Sequence, residues 1–156
     1  MVNEHESVTR KIVEAKRAKG VKWSDIARAV GQSKEWTTSA LLGQISLNAA
    51  QVALVTDYLN LDLTDNEKQI LMSIPYRGSL PTAVPSDPLL YRLYEIVLVH
   101  GGAMKELIEE EFGDGIMSAT DFDMQITRGP DPKGDRVRVN RTGRLLPDKT
   151  FQNLEI

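Results

Sequence analysis

The sequence predicts an α+β protein, with an all-α helical bundle in residues 1–80 and a small α+β domain in residues 81–156. Apolar residues recur at helical spacing through the first half, and proline and glycine crowd residues 75–88. Beyond Gly115 the apolar period shortens from that of a helix to that of a strand.

The first helix covers residues 8–18, where Val8, Ile12, Ala15 and Ala18 share a face, and Gly20 closes it. Ser24 reads as the N-cap of a helix over residues 25–30, Gly31 as a turn, and Ser33 as the cap of a helix that reaches Leu42 and ends at Gly43. Residues 49–58 form the fourth helix, stopped by Asn60. Residues 64–74 form the fifth, with Thr64 and Glu67 as a capping box. Pro75, Gly78, Pro81, Pro85 and Pro88 then predict a stiff, extended connection between domains. Asp87 and Pro88 open a helix through Val99, stopped by Gly101-Gly102, and a second helix covers residues 103–112. Phe122, Met124 and Ile126 alternate with polar neighbours, as do Val137 and Val139, on either side of the loop Gly129-Pro130-Asp131-Pro132-Lys133-Gly134. Gly143 marks another turn before Leu145-Leu146.

Composition narrows the function. A chain of 156 residues, 41% hydrophobic and 26% charged, is globular and long enough to bury a core. It has no cysteine and only His5 and His100 as imidazoles, which excludes thiol nucleophiles, iron–sulfur clusters and thiolate zinc sites. The apolar runs are far shorter than the ~20 residues of a membrane helix, and the polar, acidic start is unlike a secretory signal. No membrane association and a cytoplasmic location are therefore expected. The net charge of -3 disfavours general nucleic-acid binding.

Asp25-Ile26-Ala27, Gly31 and a capped second helix nevertheless resemble the helix-turn-helix of phage-repressor-like domains. A recognition helix needs base-reading donors and cations, but residues 33–39 offer only Lys34, offset by Glu35; a DNA reading would lean on Lys34 and Thr37. Residues 1–75 balance nine Lys and Arg against nine Asp and Glu. The expectation is a bundle whose helices pack on one another or on a neighbouring subunit, without nucleic acid.

Residues 88–99 are apolar on nearly every face of their helix, which predicts burial. Arg92 and Glu95 are the exceptions, and i,i+3 spacing puts them on one face. They read either as a structural ion pair, which the helix alone favours, or as a water-poor anion site. In the second reading Arg92 binds negative charge and Glu95 orients it or handles a proton. The segment Phe112-Gly113-Asp114-Gly115-Ile116-Met117-Ser118-Ala119 reads by itself as a helix-to-strand turn, although its glycines would also let backbone N–H groups approach an anion. The acidic residues Glu109, Glu110, Glu111, Asp114, Asp121 and Asp123 lack calcium-loop spacing, so no metal is expected. His100 reads as a helix C-terminal histidine, and Arg136, Arg138, Arg141 and Arg144 as a basic strand edge.

Taken together, Ile74-Pro75-Tyr76-Arg77-Gly78, the run Pro85-Ser86-Asp87-Pro88-Leu89-Leu90-Tyr91-Arg92-Leu93-Tyr94-Glu95, the Phe112–Ala119 segment and Gly143-Arg144-Leu145-Leu146-Pro147 closely resemble cyanases, also called cyanate hydratases or cyanate lyases. The resemblance implies a repressor-like helical N-terminal domain without DNA-reading use and an α+β C-terminal domain that intertwines in dimers, five of which form a decamer. It implies decomposition of cyanate with bicarbonate as co-substrate to carbamate and carbon dioxide, with no metal or organic cofactor. The carbamate decays to ammonia and carbon dioxide. The catalytic Arg, Glu and Ser of the family fall on Arg92, Glu95 and Ser118, at a site between subunits. The chain departs from the pattern at its ends, in the first helices and in the extension Gln152 to Ile156.

Overall fold

A computed structural model describes residues 4–75, 77–78 and 83–148. The chain forms two compact units, Met1–Ser79 and Leu80–Ile156. The expected division between residues 80 and 81, Tyr76 and the extension Gln152 to Ile156 lie outside the described residues.

The first unit consists of α1 (Glu4–Lys19), α2 (Trp23–Val30), α3 (Lys34–Leu41), α4 (Ala49–Leu59) and α5 (Asp65–Met72). Local hydrogen bonds set most of its boundaries. Ser33 Oγ accepts from Trp36 N, Asn48 Oδ1 from Gln51 N, and Thr64 Oγ1 from Glu67 N, while the Glu67 carboxylate accepts from Thr64 N at 2.9 Å. Asn60 ends α4 in the left-handed conformation, φ 52°. Two boundaries differ from expectation. The Asp25 carboxylate accepts from Lys22 N at 2.9 Å, so α2 starts before Ser24, with Lys22 as the N-cap residue. Helix α5 ends at Met72, because Ser73 turns to the extended conformation while its hydroxyl donates to Ile70 O.

Among the described residues, all of the buried hydrophobic core lies in this unit. Val8, Ile12, Ile26, Leu41 and Val55 are wholly inaccessible, and Leu47, Val52, Leu59 and Leu71 close around them. His5 is buried at the edge, its Nε2 3.2 Å from Ser73 Oγ, and burial pulls its imidazole below the ordinary pKa. Thr37 is the anomaly: it is wholly buried and its Oγ1 has no hydrogen-bond partner. An unsatisfied buried hydroxyl carries its desolvation cost uncompensated. Thr37→Val is therefore expected to stabilise the protein by about 1 kcal/mol, read as a higher urea midpoint at unchanged slope. A lower midpoint would mean that the hydroxyl is bonded in solution.

The second unit has one long helix, α6 (Pro88–Phe112), and an antiparallel pair, β1 (Gly115–Gly129) with β2 (Arg136–Pro147). Asp87 Oδ1 accepts from Leu89 N and Leu90 N, both at 2.9 Å, and Pro88 occupies the first turn. Helix α6 does not stop at Gly101-Gly102 as expected. Neither glycine has a positive φ, and each costs the helix only about 1 kcal/mol relative to alanine. The good helix formers Ala103, Met104 and Lys105 follow, with no cap or proline between. His100 is consequently mid-helix rather than at a helix C-terminus. The expected burial of the 88–99 segment is also overturned: no residue of α6 is buried, and Leu89 and Val99 are 70% and 67% exposed. The apolar all-round pattern is left uncovered by the described residues of its own unit. Gly143, expected to be a turn, lies inside β2 and pairs with Phe122 where the register breaks.

Candidate active site

One helical turn after the Asp87 cap, Arg92 Nη1 donates to Glu95 Oε2 at 2.7 Å. The i,i+3 spacing brings the two side chains together with no help from another element. The Glu95 carboxylate raises the Arg92 pKa, through the hydrogen bond first and then through its charge. Arg92 is thus a fixed cation, oriented by a carboxylate. The pair is not buried: the Arg92 side chain is 70% exposed. Within one chain the pair is therefore neither a buried structural bridge nor in a water-poor setting. An exposed ion pair contributes little to stability, whereas an exposed, oriented guanidinium is free to bind oxygen atoms of an anion.

Ser118 lies elsewhere in the same unit, near the start of β1, and is buried. Its Oγ accepts from Asp121 N at 2.9 Å and Thr120 N at 3.2 Å. A hydroxyl has two lone pairs and one proton. With both lone pairs engaged by amides, what Ser118 has left to offer is its proton; Thr120 Oγ1 lies 3.2 Å away, and either hydroxyl of that pair can be the donor. The hydroxyl is thereby set as a hydrogen-bond donor and not as a base. The backbone N–H groups of Thr120 and Asp121 are committed to Ser118 itself and are not available to an anion.

The structure thus joins Arg92 to Glu95, while no hydrogen bond or ion pair within the chain links either to Ser118 among the described residues. The glycine-flanked turn Gly113-Asp114-Gly115 leads from α6 into β1, with Gly113 at φ 82°. No group of His, Asp and Glu suited to a metal ion occurs among the described residues. Three arginines of the hairpin have local carboxylates: Arg128 with Asp135, Arg136 with Asp131 and Arg144 with Asp121. In the helix-turn-helix segment, Thr37 is wholly buried and Thr38 Oγ1 donates to Lys34 O. Thr37 is therefore turned into the bundle and not toward a duplex.

Sequence reasoning missed the surroundings of Ser118, namely the amides of Thr120 and Asp121 and the approach of the Ser118 carbonyl oxygen into the space that a Cβ at Gly143 would fill. A glycine inside an alternating strand pattern is the signal that was present, since it marks a bulge or a close backbone approach.

Comparison with known proteins covers both units. Residues 5–75 match the family model described as cyanate hydratase, N-terminal, and residues 82–150 match the cyanate lyase C-terminal domain. The cyanate hydratases of Polynucleobacter asymbioticus and Methylibium petroleiphilum are each 58% identical over 144 residues, covering 92% of this chain and 97% of theirs. The crystal structure of cyanase from T. urticae aligns with a TM-score of 0.76 at 33% identity, covering 90% of this chain and 97% of that one.

Proposed function

This chain belongs to the cyanate hydratase family, enzymes of the lyase class, and from that premise we propose that Arg92, Glu95 and Ser118 are the residues that join cyanate to bicarbonate. The observation that carries the proposal is the exposed guanidinium of Arg92 held at 2.7 Å by Glu95 on an otherwise apolar stretch of helix.

The chemistry requires positive charge. Two small anions repel one another, and the adduct formed when a bicarbonate oxygen attacks the cyanate carbon is a dianion. Arg92 binds oxygen atoms of both reactants and stabilises that charge as it gathers. Ser118 turns its one proton from Thr120 Oγ1 to an anion, and that hydrogen bond fixes the anion for attack. Breakdown of the adduct releases carbon dioxide and, with uptake of one proton, leaves carbamate, which takes up a second proton to give ammonia and another carbon dioxide. Glu95 orients Arg92 and relays the proton within the adduct.

The reading includes assembly. Helix α6 exposes Leu89, Leu93, Ile96 and Leu98, a surface that another copy of the chain would cover, excluding water from the pair it carries. A decamer of five dimers, with the site between subunits, fits this surface and the family resemblance. The proposal further holds that the enzyme uses no metal or organic cofactor, reads no nucleic acid and works in the cytoplasm. No helix among the described residues is long and apolar enough to cross a membrane.

Purified protein is expected to release ammonia from cyanate only when bicarbonate is present, at a rate unchanged by chelator. Release without bicarbonate in carbonate-free buffer, or its loss with chelator, would overturn the corresponding part of the reading.

A further inference from the structure

The hairpin register is regular from Gly115↔Pro147 to Met117↔Leu145 and resumes at Phe122↔Gly143. Ser118, Ala119, Thr120 and Asp121 therefore stand opposite a single residue, Arg144. Such a bulge re-aims a side chain at the cost of local pairing. Inside it, the Ser118 hydroxyl holds the amides of Thr120 and Asp121. From across the hairpin, Arg144 Nε lies 2.7 Å from Asp121 Oδ2. The Ser118 carbonyl oxygen occupies the space that a side chain at residue 143 would need: a Cβ there would overlap it and lie 2.7 Å from Met117 Cγ. Gly143 has no positive φ, so the requirement is for space and not for an unusual backbone conformation.

We propose that Gly143 and Arg144 are positioning residues for Ser118: the glycine admits the Ser118 backbone into the hairpin, and the arginine tethers the far end of the bulge through Asp121. Neither is assigned contact with substrate. The proposal rests on the reading of Ser118 as the donor to an anion. It is a claim about placement, and placement has a large effect on rate, since an error of about 1 Å in a catalytic group can cost about 100-fold.

The test is a double-mutant cycle in kcat/KM on protein whose assembly is confirmed by mass. Gly143→Ala is expected to lower kcat/KM about 100-fold in the otherwise native enzyme. In a Ser118→Ala background the same change should cost no more than about twofold, because the group being positioned is gone. An equal cost in both backgrounds would mean that Gly143 serves the hairpin alone, and the positioning role would fall. An unchanged kcat/KM in Ser118→Ala itself would instead remove the donor reading and the proposal with it, so the two failures are distinct.

Should Gly143→Ala not assemble, Arg144→Met supplies the same cycle, because the Arg144–Asp121 pair is exposed and its loss should spare the fold. Arg144→Met is expected to lower kcat/KM several-fold, Arg144→Lys to restore most of it, and neither to matter once Ser118 is alanine. Native kinetics in Arg144→Met would overturn the tether.

Discussion

Arg92→Ala protein is expected to fold and assemble but to lose ammonia release by about three orders of magnitude or more. Removing one preorganised donor typically costs about 10²–10³ in kcat, and Arg92 would bind both anions and the adduct. The fold should survive, because among the described residues the one ion pair of Arg92 is with Glu95 on the same exposed helical turn. Mixing extends the test. If each site needs the arginine from two chains, refolded mixtures of native and Arg92→Ala chains should show activity per total protein that follows the square of the native fraction. A straight line would mean that each arginine acts within one chain, and the shared site would be wrong.

A charge placed on the bare side of α6 should be as damaging to activity without touching the site. Val97 is 48% exposed and lies nearly opposite Arg92 and Glu95 around the helix. If another copy covers it, Val97→Glu buries an unpaired carboxylate, at a cost of several kcal/mol. That corresponds to a loss of about two orders of magnitude or more in association. Sedimentation should show smaller species and the assay almost no turnover, although Arg92, Glu95 and Ser118 are unchanged. Val97→Leu should keep both assembly and activity. The main thermal transition should persist in Val97→Glu, because α6 contributes nothing to the hydrophobic core. Retained turnover in a monomeric Val97→Glu protein would show that one chain suffices.

The helices of the first unit were legible because their ends are set by bonds spanning three or four residues. Ser33, Asn60, Thr64 and Glu67 each act within one turn of their own position. The same local logic misled at Gly101-Gly102, where the penalty for two glycines is small beside the continuity of a 25-residue helix. The burial expected for residues 88–99 failed for a different reason. Periodicity states what a side chain needs, and nothing in one chain's pattern says whether that chain supplies it. The Arg92–Glu95 contact follows from helical geometry and could be read directly. The setting of Ser118 could not, because it depends on a register break opposite Arg144, 26 residues along the chain, and on a backbone approach at Gly143 that only strand pairing creates.

The unequal division of the core has a consequence for biosynthesis. The ribosome delivers the N-terminus first, so the unit holding Ile12, Ile26, Leu41 and Val55 can complete its core while α6 is still unmade. Its folding is a first-order event, independent of how many copies the cell contains. The second unit emerges as one long helix and a two-stranded hairpin, and a lone hairpin is at best marginally stable in water. If, as proposed, another copy covers its apolar surface, that surface stays wet until a second nascent or finished chain arrives, and maturation becomes second order in chain concentration. Chains translated side by side on one message would meet sooner than chains released singly, and the yield of active enzyme would depend on the rate of synthesis as well as on the amount made.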